Sequence, residues 1–501
     1  MFLRGAAAAA AAWPLRLRAQ AALGGQLFQH GVASGDPLAD RVILWTRATS
    51  PSATGPIDVT WQVAADDQLA KIVARGTASA AAERDFTVKV DAAGLDPGRT
   101  YFYAFTAGGE RSPIGRTRTL PAAGAERLRL AVAACSNYPA GYFNAYRAIA
   151  NRADLDAVLH VGDYIYEFAE GVYGDSREIG RAPLAPGEAA TLADYRLRYA
   201  TYRSDPDLQE VHRQHPFIVV WDDHEIANDA WAGGAANHVA AQGDWNARLA
   251  AAYRAYLEWL PVRESPGDGL RLYRSFRFGD LADLVMLDTR GLRDRQLPGA
   301  DAAALADARR TMLGAAQETW LFAELRTSMR RGAAWRLLGQ QVLFSPLTPS
   351  GPPLSPDLWD GYPAARRRLL DFVAAEGVAD LAVLTGDLHS SWALDVSANP
   401  WAAAGSADAR PLAVEFLTPA ISSPPLFADA TLRARAPLLR QVAPHLRYLD
   451  GDGNGYVLLD IDRRRIQAEW YFVPTVMERT DRESRAAAFI CERGSSRLTP
   501  A

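Results

Sequence analysis

From Phe28 to about Pro121 apolar and polar residues alternate in short runs: Arg41-Val-Ile-Leu-Trp45, Asp58-Val-Thr-Trp-Gln-Val63, Phe86-Thr-Val-Lys-Val90 and Thr100-Tyr-Phe-Tyr-Ala-Phe105. A period of two with β-branched and aromatic residues predicts strands, and Gly94-Leu-Asp-Pro-Gly98 predicts a turn before the last of them. Several short strands with regular turns predict a small β-sandwich over residues 28–121. After Pro121-Ala-Ala-Gly-Ala125 the pattern changes. Continuous apolar runs now alternate with helical stretches: Leu128 to Ala134, Leu155 to Val161, Phe217 to Trp221, Leu284 to Leu287 and Leu381 to Thr385. Such runs predict strands covered on both faces, and hence an α/β domain over residues 125–478. Gly455 to Asp462 predicts a last strand, and residues 479–501 read as a polar tail.

Length and composition narrow the class. The 501 residues exceed one ordinary domain, and 49% hydrophobic with 22% charged residues excludes a disordered, collagen-like or polytopic membrane chain. The net charge of −4 and the absence of a basic stripe argue against a nucleic-acid partner. Two cysteines, Cys135 and Cys491, are too few for a disulfide framework, although one long-range bridge between them is open. Residues 1–21 have the layout of an export signal: a basic start at Arg4, an apolar stretch from Gly5 to Leu15, and Ala19-Gln20-Ala21 as a cleavage site. That stretch is too short for a bilayer span, and no other segment approaches ~20 apolar residues. The expectation is a mature protein outside the cytoplasm with no transmembrane segment.

Chemistry concentrates just past the predicted strands, the edge where open α/β sheets bind ligands. There lie Ala133-Ala-Cys-Ser-Asn137, His160-Val-Gly-Asp-Tyr-Ile-Tyr166, Trp221-Asp-Asp-His-Glu225 with Asn228-Asp229, Leu384-Thr-Gly-Asp-Leu-His389 and, more weakly, Leu287-Asp-Thr-Arg290. Carboxylates, a thiol, a phenol and imidazoles brought to one edge would repel one another and carry large desolvation costs. A multivalent cation removes both penalties, and hydrolysis of a phosphate ester is the chemistry that paired metals then serve. Asp450-Gly-Asp-Gly-Asn-Gly455 opens like a calcium loop, but Ile461 stands where a terminal Glu is needed, so it reads as a turn.

The order Gly162-Asp163-Tyr-Ile-Tyr166, Asp223-His224-Glu225, Gly386-Asp387-Leu388-His389 resembles the metallophosphoesterase superfamily that includes purple acid phosphatases. Cys135 in the first motif, with His30-Gly-Val-Ala-Ser-Gly-Asp-Pro37, Leu44-Trp-Thr-Arg47 and Leu338-Gly-Gln-Gln341, narrows the resemblance to PhoD-like alkaline phosphatases. The resemblance implies a four-layer α/β/β/α domain preceded by an immunoglobulin- or fibronectin-III-like sandwich. The spacing of Leu95, Pro97, Thr100, Tyr101 and Tyr103 is similar to fibronectin type III modules. It also implies twin-arginine export to the periplasm or beyond, and Met1-Phe2-Leu3-Arg4 is similar to the second half of such a signal. Carried over residue by residue, Cys135, Asp163 and Tyr166 would hold Fe3+, with His389 an iron ligand or a phosphate contact. Asp163 would bridge to a calcium side with Asp223 and Asp387, in a centre of one Fe3+ and two Ca2+. His224 would sit near the leaving group with Asp223 and His389 as catalytic partners, and Asn137, Asn228 and Arg290 would bind substrate. Ser136 and Asp222 are further candidates. The implied activity is hydrolysis of phosphate monoesters and diesters, small, lipid or polymeric, releasing inorganic phosphate. The alternative is a diester-specific enzyme on the same metals, similar to a phospholipase D or a teichoic-acid hydrolase.

Overall fold

The computed structural model describes residues 27–50, 55–264, 269–299, 301–349, 353 and 355–501; the expected export signal at 1–21 lies outside them. Three sheets organise the described residues. The largest has ten strands, in the order Leu498–Pro500, Ser484–Glu492, Arg465–Phe472, Gly455–Asp462, Arg127–Ala133, Ala157–His160, Pro216–Val219, Val32–Gly35, Arg41–Arg47 and Thr87–Ala93. Its four central strands, from Arg127–Ala133 to Val32–Gly35, run parallel. The second sheet has seven strands, in the order Arg274–Phe278, Ala282–Met286, Trp335–Gly339, Leu381–Thr385, Ala413–Leu417, Ser391–Val396 and Leu446–Asp450. Four of these are also parallel neighbours. The third comprises Ile72–Ala80, Ile57–Ala64, Thr100–Ala107 and Glu110–Arg111, with Gly115–Arg118 paired to Thr100–Ala107.

Alternation along the strands decides what each face covers. Leu284 and Met286 join one apolar core with Leu130, Leu159 and Leu458 of the ten-stranded sheet, so the two large sheets share an interior. Val285, Leu338 and Val383 point the other way, into a core closed by Leu321 and Leu325 of the helix Gly314–Arg331 and Leu369 and Val373 of Pro363–Ala375. On the far side of the ten-stranded sheet, Ile149, Tyr195, Leu208 and Trp259 cover it from the helices Asn144–Ala150, Leu192–Arg203, Pro206–Gln214 and Trp245–Trp259. Truncating one of these fully buried leucines to Ala would cost roughly 2–5 kcal/mol.

The amino-terminal region departs from a self-contained sandwich. Its strands Val32–Gly35, Arg41–Arg47 and Thr87–Ala93 belong to the ten-stranded sheet, so one wall of the sandwich is a continuation of that sheet. In Arg41–Arg47, Val42 and Leu44 face the sandwich core, while Trp45 faces the other way and donates its indole N–H to the Glu258 carbonyl at 2.8 Å. Gly35 permits the junction: a Cβ there would meet the carbonyl oxygens of Pro261 at 2.5 Å and Phe217 at 2.6 Å. The region from Arg479, expected as a polar tail, instead supplies the two strands at the opposite edge. Cys491 lies on the first of these and is a free thiol, as is Cys135, so the long-range bridge is absent. No helix among the described residues is long and apolar enough to cross a membrane.

The carboxyl ends of the parallel strands in the two large sheets meet. Ala134 bridges Ala420, and the Thr418 hydroxyl donates to the Val132 carbonyl at 2.8 Å. A Cβ at Gly386 would lie 2.9 Å from Ala134 Cβ, so glycine lets the second sheet's strand end reach the first.

Candidate active site

Cys135, Asp163, Asp387 and His389 all follow strands at that junction, and all adopt positive φ, between 48° and 65°. Side chains other than Gly rarely adopt this conformation, which costs of order 1–3 kcal/mol each and clusters at functional sites. Glu225 holds the arrangement from beneath, its buried carboxylate accepting from the amides of Asp222 at 2.7 Å, Asp163 at 3.1 Å and Tyr164. It is thus a brace rather than a reacting group. Ser136 is turned into the core, donating to the Tyr164 carbonyl at 3.0 Å, away from any substrate.

Among the described residues, three groups of side chains lie within metal-binding reach. They are Cys135 with Asp163 and His389, Asp163 with Asp223 and His224, and Asp222 with Asp223 and Asp387; within each, the ligand atoms lie within 4.8 Å of one another. Asp163 belongs to two of them. Tyr166 completes the first: its hydroxyl donates to Asp163 Oδ2 at 2.8 Å, accepts from Ser423 at 2.8 Å and lies 3.0 Å from His389 Nε2. His389 Nδ1 lies 3.0 Å from the Pro424 carbonyl, which fixes the proton on Nδ1 and leaves the Nε2 lone pair facing the thiol and carboxylate. Burial pushes His389 down to about 4, so it is neutral. Burial, then the Asp163 charge, pushes the Cys135 thiol and the Tyr166 phenol well above their ordinary values.

The acidic group is built differently. Arg290 is fully buried and donates through Nε to Asp222, through Nη1 to Asp357 at 2.6 Å and through Nη2 to Asp387 at 2.7 Å, with Asp223 at 3.6 Å. Burial alone would raise Asp223, but Arg290 and then His224 outweigh it and hold it low. Asp222 stays well above the carboxylate range, and Asp387 sits near 7, because burial exceeds what one guanidinium offsets. Asp163 Oδ1, Asp222 Oδ2 and Asp223 Oδ1 are buried without a hydrogen-bond partner among the described residues. Orphaned carboxylate oxygens of this kind, converging from two neighbouring strand ends, are the donor set a cation satisfies.

His224 Nδ1 donates to Glu167 Oε2 at 2.7 Å, and the imidazole lies 4.3 Å from the Tyr166 ring centre. Glu167 also accepts from the Asn228 amide and from Asn237, at 2.7 and 2.8 Å. His224 is held well above its usual value: burial opposes the charge, but Asp223, Glu167 and Asp163 favour it more. Asn137 donates to the Tyr173 carbonyl at 3.3 Å and keeps its amide oxygen unpartnered. Asn228 is half-buried beside the group. Arg290, expected to bind substrate, is instead engaged by carboxylates on several sides. Sequence reasoning missed Glu167, Asp357, Ser423 and Tyr173. Only Glu167, directly after the Gly-Asp-Tyr-Ile-Tyr motif, had a local signal.

Residues 130–470 match the family described as PhoD-like phosphatase, and residues 10–121 match its N-terminal domain. The chain belongs to the PhoD-like phosphatase family. It is 37% identical over 499 residues to alkaline phosphatase D of Bacillus subtilis (strain 168), covering 94% of this chain and 82% of that one. A solved structure of PhoD superposes with a TM-score of 0.87 at 35% identity, over 95% of this chain and 92% of the other. This PhoD-like chain is therefore a phosphoric ester hydrolase, a phosphatase.

Proposed function

We propose that this chain is an exported, metal-dependent alkaline phosphatase acting on phosphate monoesters and diesters. The observation that carries the reading is the set of orphaned oxygens on Asp163, Asp222 and Asp223 beside a thiol and a phenol. Thiolate, phenolate and imidazole donors at Cys135, Tyr166 and His389 suit Fe3+, whereas the all-oxygen set of Asp223 and Asp387, with Asp222 beside them, suits Ca2+. Asp163, common to two groups, would bridge them. When bound, the ions would acidify a water and polarise the phosphoryl oxygens. His224 has Nδ1 committed to Glu167, so its Nε2 is the nitrogen free to give a proton to the leaving oxygen. Asn137, whose amide oxygen is unpartnered, and Asn228 would orient the ester through their amides. Tyr173 closes one side, its ring near parallel to His224 at 6.4 Å. Export rests on the layout of residues 1–21, and the family reading points to the twin-arginine route and the periplasm or medium.

Elemental analysis of protein purified without added metal tests the reading. Iron near one equivalent with calcium in excess supports it, and active protein free of both overturns it. Parallel turnover of a monoester and a diester then decides the substrate class, with diester-only turnover favouring the phospholipase D-like or teichoic-acid alternative.

A further inference from the structure

Arg290 raises a question the metal reading leaves open, and the inference drawn from it rests on that reading. Its guanidinium has no exposed surface and contacts four carboxylates from three parts of the chain. Asp222 and Asp223 follow the strand Pro216–Val219, Asp387 follows Leu381–Thr385, and Asp357 comes from the segment after Trp335–Gly339. The arginine is anchored from its own backbone, because Asp288 Oδ1 accepts the amides of Arg290 at 2.9 Å and Gly291 at 2.8 Å. It is anchored from behind as well: Asp357, which receives Nη1, is itself held by Arg293 at 2.5 Å and Gln296 at 2.7 Å. Arg290 takes one oxygen of Asp222 and one of Asp387, and leaves Asp222 Oδ2 and Asp223 Oδ1 without a hydrogen bond among the described residues, the latter 3.6 Å from Nη2. A buried acidic cluster without any cation would be strongly destabilising. A cluster with only a loosely held cation would pass through that state whenever the cation left.

We infer that Arg290 is a resident counter-ion of the acidic half of the site: it stabilises the fold when no divalent cation is bound there and, by the same charge, weakens that cation's binding. The two effects have one origin. The guanidinium neutralises part of the charge a calcium ion would otherwise meet, and it repels that ion at short range through a poorly screening interior. Both effects follow from a charge fixed in place, with no movement of the arginine. Arg290 is thus a positioning residue toward the metal, not a contact for phosphate.

The test uses the full-length protein stripped with a divalent-cation chelator, with calcium chloride as the probe. Melting temperature is measured with and without saturating calcium, and calcium affinity by titration calorimetry. Arg290→Gln should lower the melting temperature in chelator by about 5 °C or more, regain most of it in calcium, and tighten the calcium Kd about tenfold or more. Arg290→Lys keeps the charge and should hold Kd within about threefold of the parent. Equal loss of stability with and without calcium, or a Kd unchanged or weakened in Arg290→Gln, overturns the inference, since a purely structural arginine would behave that way. If Arg290→Gln accumulates in neither condition, the lysine variant decides: a Kd shifted about tenfold in either direction counts against a charge-based role. A flat titration of the parent protein would instead remove the calcium reading itself, and the inference with it.

Discussion

The two halves of the site deal with the same difficulty by different means. In the half formed by Cys135, Tyr166, Asp163 and His389, burial pushes the thiol, phenol and carboxyl upward and the imidazole downward, so the acids hold their protons more tightly than usual and the imidazole less tightly. Among the described residues no arginine side chain pairs with the thiol, phenol, carboxylate or imidazole of that group. In the half formed by Asp222, Asp223 and Asp387, protons alone do not suffice and a buried guanidinium is built in. The first half must release protons when a cation enters, so its occupancy should depend steeply on pH. The second already carries a positive charge, and its occupancy should depend more on cation concentration.

The sharpest way to break this contrast is to remove Asp163, which belongs to the first half and also lies within metal-binding reach of Asp223 in the second. Asp163→Ala should lower kcat/KM by about 10⁴-fold or more and strip both halves of metal. Retention of either ion at full occupancy would show that Asp163 is not shared. Cys135→Ser should affect one half only: iron content and its visible absorption are lost, calcium is kept, and turnover falls by about 10²–10³-fold. Glu167→Gln lies outside both halves and should leave metal content intact. It should lower kcat by about 10–100-fold and shift the pH profile of kcat, because His224 loses the carboxylate that orients it. An unchanged pH profile would return Glu167 to the scaffold.

A weaker effect separates the scaffold from the site. His215 and His445 lie away from the metal groups, and burial lowers each to about 4. The unfolded chain binds protons at these residues below about 6.5, whereas the folded chain does not until about 4. Stability should therefore be unaffected above about pH 6.5 and decline as pH falls from there toward 4. Melting curves across that window check it, and His215→Gln should flatten the decline by about one proton. The smallest effect is expected at the acidic turn of residues 450–455. Asp450 Oδ1 caps the amides of Asp452 and Gly453 at 3.0 Å, and Asp452 pairs with exposed Arg433. Asp452→Ala should change the melting temperature by no more than about 1 °C and leave calcium content unaltered.

What was legible in the sequence followed from strong local patterns. Runs such as Leu-Ala-Val-Leu-Thr385 ending in Gly-Asp mark a buried strand and the residue beyond it, so five strand ends and their side chains could be placed before any coordinates. Val-Ala-Ser-Gly35 is short and built of small residues, with nothing to separate a central strand from a loop. Its place in the larger sheet depends on the contact of Gly35 with Pro261, over two hundred residues away. Ser-Arg-Ala-Ala-Ala-Phe-Ile-Cys-Glu492 lacks the alternation of a half-buried strand, and its first half is exposed, so it read as a tail. Asp357 sits in a long irregular segment with no periodicity, and only the fold brings it to Arg290. Ser423 and Asn454 are similar: Asn454 donates to the carbonyls of Ala420 at 3.2 Å and Ser423 at 2.8 Å, fixing the turn that presents Ser423 to Tyr166.

The ten-stranded sheet sets a timetable for biosynthesis. Arg127–Ala133, whose end presents Cys135, is flanked by Ala157–His160 on one side and by Gly455–Asp462 on the other. The first neighbour leaves the ribosome almost at once. At roughly 5–20 residues per second, the second follows by a fraction of a minute to about a minute. Until then the strand keeps an open edge and an uncovered apolar face, which is a template for aggregation. Nascent chains of this protein should therefore depend on chaperones until synthesis has reached the last tenth of the polypeptide.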